Sequence, residues 1–183
     1  MPIKDKAEDQ MKKAVIRLQS ELSALRTGRA NVSLLEGIKV DYYGSFMPIN
    51  QLANVSATDG RTLEVKPWDK EGLTAIEQAI LKSELGVTPL NDGKILRLSI
   101  PTPTAERRKE LVRIIHKHAE DFRVAVRNIR REILEELKKS EKDKHISQDE
   151  LRRGEQEIQK LTDHYIKTID TLLAAKEKEI LEA

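Results

Sequence analysis

Apolar residues recur every three or four positions in the first and the last part of this chain, which is the spacing of helices with one buried face. In the first part the pattern predicts one helix over residues 4–26. Thr27 and Gly28 end it, because glycine favours the left-handed conformation of a helix terminus. The apolar positions of this helix are Ala7, Met11, Ala14, Val15, Leu18, Leu22 and Leu25.

The last part of the chain begins with a long predicted helix that runs to about Lys139. Thr102 or Thr104 can cap its start, and Pro103 suits the opening turn because its fixed φ fits a helix. The apolar positions of this helix are Leu111, Ile115, Phe122, Val126, Ile129, Ile133 and Leu137.

A charged loop at residues 140–145 separates this helix from the last one. The last helix starts with a capping box of Ser147 and Glu150, flanked by a hydrophobic staple of Ile146 and Leu151. Its apolar positions are Leu151, Ile158, Leu161, Tyr165, Ile169 and Leu172. Because each of the three helices carries a single apolar stripe, we expect them to pack together as one bundle.

Between residues 31 and 103 the helical period disappears, and short alternating segments take its place. The predicted strands are residues 38–42, 48–55, 62–66 and 95–100, and the predicted turns are residues 43–45 and 91–93. One short helix, with Leu73, Ile76, Ala79 and Ile80 on one face, precedes Gly86. A single elongated coiled coil with a decorated loop is the alternative, but this segment has too many strand and turn signals for a loop.

The predicted fold is therefore α+β, a three-helix bundle with an inserted small β/α/β domain. Residues 1–29 and 105–183 form the bundle, and residues 30–104 form the insertion. Two chain crossings then join the domains, and such a paired connection suits a hinge. The predicted hinge residues are Thr27, Gly28, Arg29, Ala30, Pro103, Thr104 and Ala105.

Basic residues of the long helix after residue 104 share one face, away from the apolar stripe. At about 100° per residue they fall within an arc of roughly 100° and extend over about 33 Å. They are Lys109, Arg113, His116, Arg123, Arg127, Arg130 and Arg131. Arginine's planar fork matches phosphate oxygens, so this face is predicted to bind RNA. Glu120 interrupts the face, and a merely solvated surface is the alternative interpretation.

Charge and composition narrow the choice of partner. The formal net charge is only +2, although 35% of the residues are charged, so contact with a polyanion requires local segregation of charge. Aromatic residues make up 3% of the chain, which argues against a protein that stacks single-stranded bases. The chain has no cysteine, no apolar leader and no long apolar run, which fits a reducing cytoplasm and no membrane.

Catalysis has little support in the sequence. His116 and His118 are two positions apart and point about 200° apart on a helix, so they cannot share a metal ion. The glycines are isolated and form no phosphate-binding loop, and acidic pairs such as Glu135 and Glu136 are read as solvated. We therefore predict no catalytic residues, no metal and no cofactor.

Several segments, taken together and in order, resemble the ribosome recycling factor family over essentially the whole chain. They are residues 25–31 (LRTGRAN), 40–44 (VDYYG), 50–53 (NQLA), 61–63 (RTL), 106–109 (ERRK), 124–131 (VAVRNIRR) and 158–163 (IQKLTD). One departure is Val32, where the family often has proline, at the first crossing.

The resemblance implies an L-shaped two-domain protein that acts after translation termination. With elongation factor G and GTP, it would bind the large ribosomal subunit and split the ribosome, and initiation factor 3 would act downstream. The implied protein is a cytoplasmic monomer that hydrolyses nothing itself, and its small domain faces the GTPase. A coiled-coil adaptor that binds only proteins is the rival function, and steep salt dependence would distinguish RNA binding from it.

The candidate RNA-binding residues lie on the bundle and at its junction with the insertion. They are Arg123, Arg127, Arg130, Arg131, Arg113, Lys109, Arg26 and Arg29. Arg26 and Arg29 flank Gly28, where they bind RNA or, alternatively, cap carbonyl groups at the helix end.

Overall fold

The structure is a computed structural model that describes residues 2–183. The helices are α1 (Pro2–Ala24), α2 (Lys70–Lys82), α3 (Ala105–Lys142) and α4 (Gln148–Glu182). The strands are β1 (Lys39–Tyr42), β2 (Ser45–Pro48), β3 (Ala53–Ala57), β4 (Thr62–Pro67), β5 (Leu90–Asn91) and β6 (Leu96–Ser99). The predicted α+β class is confirmed. The chain divides into two compact units, one containing Glu106–Glu182 with the residues up to Arg26, the other Thr27–Ala105.

The first unit is a three-helix bundle in which α1, α3 and α4 each contribute one buried stripe. The central core consists of Met11, Val15, Leu18, Leu22, Leu111, Ile115, Ala119, Val126, Tyr165, Ile169, Leu173 and Ile180. A second cluster of Ala7, Ile133, Leu137 and Ile158 continues the core. The apolar periodicity predicted these three stripes, but it missed Leu173, Ile180 and the small residues Ala119 and Gly154, which are all buried.

The connection between α3 and α4 is set by local hydrogen bonds. Ser147 Oγ accepts from the backbone N–H of Glu150 at 3.2 Å, and Glu150 Oε2 accepts from the backbone N–H of Ser147 at 2.7 Å, so the predicted capping box is confirmed. These bonds from Ser147 hold the pKa of Glu150 below its usual value. The helix α3 continues to Lys142, three residues beyond the predicted end, and the connecting loop is correspondingly shorter.

The second unit contains a four-stranded antiparallel sheet, a separate hairpin of β1 and β2, and α2. The strand order of the sheet is β3-β4-β6-β5. The core combines alternate residues of the strands with one face of α2, and its fully buried members include Leu63, Val65, Leu96, Leu98, Ile76 and Ile80. Asp69 caps α2, because its side chain accepts from the backbone N–H of Gly72.

One predicted strand of the second unit is wrong. Residues 48–55 do not form a continuous strand: β2 ends at Pro48, a 3₁₀ turn occupies Ile49–Gln51, and β3 begins at Ala53. Proline has no N–H to donate to a ladder, which explains why the strand stops there. The strand β5 was not predicted, because its two residues are exposed and show no apolar alternation.

The segments at the two ends of the second unit contact each other through Gly28. Gly28 has φ +80°, and a Cβ added to it would lie 2.3 Å from Pro103 Cδ. The helix α1 ends at Ala24, so the prediction that Gly28 terminates this helix is wrong, although its left-handed conformation is confirmed. Glycine is required here because no side chain fits between the two segments.

A single loop of the second unit anchors both segments. The backbone N–H of Ala30 donates to the Gly60 carbonyl at 2.9 Å, and the backbone N–H of Ile100 donates to the Arg61 carbonyl at 2.7 Å. The chain entering the unit and the chain leaving it are therefore both tied to the connection between β3 and β4.

We predict that Gly28→Ala lowers the free energy of unfolding by about 3 kcal/mol, because it combines an unfavourable left-handed alanine with a clash against the proline ring. Gly44→Ala is the matched control. Gly44 also has a positive φ, +81°, but a Cβ there would meet nothing within 4 Å, so its cost should be only about 1 kcal/mol. Urea denaturation measures the free energy of unfolding of both variants. Equal losses would show that the close approach of Gly28 to Pro103 does not affect stability.

Candidate nucleic-acid interface

The long helix α3 carries two faces of opposite character. Its buried stripe includes Leu111, Ile115 and Val126, and the basic residues lie outside this stripe. Lys109, Arg113, His116, Arg127 and Arg131 are exposed, whereas Arg123 and Arg130 are half-buried at the border of the apolar stripe. Because α3 is continuous from Ala105 to Lys142, all the predicted residues of this helix are held on one rigid element.

Three of the basic residues contact α4 at intervals of seven positions. His116 Nε2 lies 3.2 Å from Glu177 Oε2, and Arg123 Nε donates to Asp170 Oδ1 at 2.9 Å. One heptad further along, Arg130 donates to Gln159 Oε1 at 3.0 Å.

Glu120, which interrupts the basic face in sequence, is bound to it in the structure. Arg123 donates to Glu120 Oε2 at 3.0 Å, and Arg127 donates to Glu120 Oε1 at 3.3 Å. The hydrogen bond from Arg123 is the main reason that the pKa of Glu120 lies below its usual value. The hydrogen bond to Asp170 is the main reason that the pKa of Arg123 is raised. Both groups are therefore charged at neutral pH.

The basic residues fall into two groups by their protein contacts. The Arg123 side chain is only 20% exposed and binds two carboxylates. Most of its hydrogen-bonding capacity is therefore used in contacts within the protein. Within residues 2–183, Lys109, Arg113 and Arg131 are exposed and make no ion pair. These three residues, with the exposed part of Arg127, present the accessible positive charge of the basic face.

Arg26 and Arg29 lie on the segment that contains Gly28, and both are exposed. Arg29 belongs to the second unit, where its Nε would lie 3.9 Å from a Cβ on Gly60. Neither side chain donates to a backbone carbonyl within the described residues, so the alternative role of capping the helix end finds no support. Their contact with RNA stays a prediction.

The acceptors on α4 were not predicted from the sequence; they are Gln159, Asp163, Asp170 and Glu177. The signal that could have revealed them is a shared heptad: residues 163, 170 and 177 on α4 repeat with the same period as residues 116, 123 and 130 on α3. Antiparallel neighbours that keep this period bring the same positions together repeatedly along a seam.

Residues 2–183 contain no group of three or more histidine, aspartate or glutamate side chains able to hold a metal ion. Across the same residues, none of the helices has both the length and the apolar character that a membrane crossing requires.

Comparison with known proteins gives matches over almost the full length. The family described as ribosome recycling factor matches residues 18–181. The ribosome-recycling factor of Natranaerobius thermophilus is 58% identical over 174 residues, covering 95% of both chains. That of Carboxydothermus hydrogenoformans is 57% identical over 175 residues, covering 96% of this chain and 95% of the relative.

Solved structures agree with these relatives. A solution structure of the ribosome recycling factor matches with a TM-score of 0.76 and 45% identity, covering 100% of this chain and 97% of the other. A second matching chain is 50% identical with a TM-score of 0.66, covering 98% of this chain and 97% of the other. It belongs to models of the Thermus thermophilus ribosome recycling factor and the Escherichia coli elongation factor G bound to the E. coli post-termination complex.

The fold and the basic helix face define the class as a two-unit α+β protein with a charged, rigid bundle. The matches, which span nearly the whole sequence, then decide the family. The chain belongs to the ribosome recycling factor family.

We predict different stability effects at the two kinds of arginine. Arg123→Ala should lower the free energy of unfolding by about 1 kcal/mol, because it leaves Asp170 and Glu120 without their shared partner. Arg131→Ala is the matched control on the same helix face and should change stability by less than about 0.5 kcal/mol. Urea denaturation measures both, and equal effects would show that the contact to α4 contributes nothing.

Proposed function

We propose that this chain recycles ribosomes: with elongation factor G and GTP, it splits post-termination ribosomes into subunits and frees them from mRNA. Membership of the ribosome recycling factor family over nearly the full length carries this proposal. The matching chain bound with elongation factor G to a post-termination complex supports the choice of partner and of target.

In this proposal the bundle docks on ribosomal RNA of the large subunit through the basic face of α3. Lys109, Arg113, Arg127 and Arg131 support it, because they offer exposed charge along one helix. Arg123 and Arg130 contribute from the border of the face, and Arg26 and Arg29 add positive charge on the segment around Gly28. Duplex RNA presents phosphates and hydroxyl groups more readily than base edges, so recognition by shape and backbone is expected.

The chain itself acts as a binding protein and hydrolyses nothing. The free energy for splitting comes from GTP used by the elongation factor, and initiation factor 3 acts afterwards on the separated small subunit. The protein works as a cytoplasmic monomer. This division of labour fits a chain whose candidate residues are arginines and lysines on a rigid helix rather than paired acids and bases.

The small unit faces the GTPase and moves relative to the bundle about the two crossings. The contact of Gly28 with Pro103 and the shared anchoring of Ala30 and Ile100 limit where such motion takes place. Flexing residues would lie outside these anchors, at residues 25–27 and 104–105, which include Thr27, Thr104 and Ala105 of the predicted hinge residues.

The test of the function is a splitting assay on purified post-termination ribosomes, followed by light scattering. Scattering should fall only when this protein, elongation factor G and GTP are all present, because the GTPase supplies the free energy. Each omission serves as a control. Splitting without the GTPase, or no splitting with all three components, would contradict the proposed function.

The docking surface is tested by sedimentation with isolated large subunits. The Arg127→Ala, Arg130→Ala double variant should bind more weakly, and the slope of log affinity against log salt should fall by about two units if two phosphate contacts are lost. Lys139→Ala, also on α3 and exposed but off the basic face, is the control and should bind normally. Unchanged binding of the double variant would place the RNA contact elsewhere on the molecule.

A further inference from the structure

The basic face of α3 contains acidic and amide groups that a simple electrostatic view does not explain. A surface that binds a polyanion should avoid carboxylates, because each one repels phosphate. Yet Glu120 lies within the basic face, and Asp163 and Asp170 lie beside it on α4. These groups therefore reduce the attraction for RNA unless they do something else for the arginines.

Arg130 shows what the neighbouring groups do. Its guanidinium donates to Gln159 Oε1 at 3.0 Å, and Gln159 Nε2 donates to Asp163 Oδ1 at 2.9 Å. An arginine only donates and an ionised carboxylate only accepts, so the amide between them has a single orientation that satisfies both. Asp163 thus fixes the orientation of the Gln159 amide, and this amide in turn fixes the position of the Arg130 guanidinium. Packing adds to this restraint, because the Arg130 Nε is buried.

Arg127 is held by a second chain of contacts. Asp170 binds Arg123, Arg123 donates to Glu120, and Glu120 accepts from Arg127. Arg127 stays 47% exposed at its side chain, with one guanidinium nitrogen committed to Glu120. An arginine has five N–H donors, so the remaining donors are available to a phosphate group.

Holding an arginine in place changes the cost of binding. A free arginine side chain loses rotamer entropy when it is fixed on a ligand. A side chain already fixed by its neighbours has lost most of this freedom before it meets the ligand. The carboxylates thus weaken the field of the basic face but reduce the entropic cost of each phosphate contact.

We propose that Gln159, Asp163 and Glu120 are positioning residues, which orient Arg130 and Arg127 for contact with ribosomal RNA phosphates. This inference rests on the proposed function, since it requires that the basic face of α3 binds the large subunit. It assigns a role in RNA binding to three residues that do not themselves touch the RNA.

The proposal is tested by whether removing a negative charge strengthens or weakens the affinity for large subunits. Removing Asp163 eliminates a repulsive charge, so electrostatics alone predicts tighter binding to isolated large subunits. Positioning predicts the reverse: Asp163→Ala should bind about threefold to tenfold more weakly, the loss that follows from one hydrogen bond. Asp163→Asn keeps an acceptor for Gln159, so it should bind at least as tightly as the unmodified protein. A purely electrostatic effect would make both variants bind more tightly.

A second arm uses Arg130 as a reference. In an Arg130→Ala background, Asp163→Ala should no longer weaken binding, because the side chain that it positions is gone. Glu120→Ala should likewise weaken binding in the unmodified protein but not in an Arg127→Ala background. Glu135→Ala is the matched control: it removes an exposed acid from α3 that forms no ion pair within residues 2–183, and it should leave binding unchanged or slightly tighter. Melting temperatures exclude unfolding as the cause of any loss.

The outcomes separate this inference from the proposed function. If Arg130→Ala and Arg127→Ala weaken binding while Asp163→Ala and Glu120→Ala tighten it or leave it unchanged, the positioning role is overturned and the docking surface stands. If neither arginine variant affects binding, the docking surface is wrong and the positioning role falls with it. The splitting assay with elongation factor G and GTP then shows separately whether the chain recycles ribosomes by another surface.

Discussion

The burial of a single stripe on each long helix is the constraint on which the bundle depends. The helix α1 cannot bury Met11 and Leu18 alone, so it must pack against α3 and α4, which begin at Ala105 and Gln148, far along the chain. Each helix contributes only this one apolar stripe to the core. The remaining surface of α3 is left for charged residues, and this is why a rigid element can carry a long basic face without losing its packing.

The same constraint explains why the net charge says so little about this protein. A formal charge of +2 would suggest no affinity for a polyanion. The helix period sorts the charges instead, placing arginines beside the seam with α4 and pairing several of them with Asp170, Glu120 and Gln159. Charge is segregated on the scale of a helix face, where contacts are made, rather than on the scale of the whole chain.

The sequence predicted the long helices, their apolar stripes, the capping box at Ser147 and the α+β class, because each of these depends on neighbours within a few turns of chain. Prediction from the sequence failed where contacts between distant parts of the chain determine the local structure. Residues 48–55 alternate like one strand, but Pro48 and a 3₁₀ turn divide them. Gly28 is left-handed, but it lies against Pro103 and not at the end of a helix. The basic face was predicted from α3 alone, whereas the side chains that bind Arg123 and Arg130 belong to α4. The pattern of residues within one helix does not identify its contacts with another helix.

The contact between Gly28 and Pro103 has a consequence for how the chain closes on itself. The entropic cost of joining two chain ends grows with the length of the flexible loop between them. Here a segment of more than 70 residues separates α1 from α3, yet its two ends touch, and both are tied to the loop at Gly60 and Arg61. Once the second unit is folded, it joins α1 to α3 like a short linker, because its ends are already together. The insertion thus adds a folded unit to the chain while sparing the bundle most of the entropy that a loose loop of that length would cost.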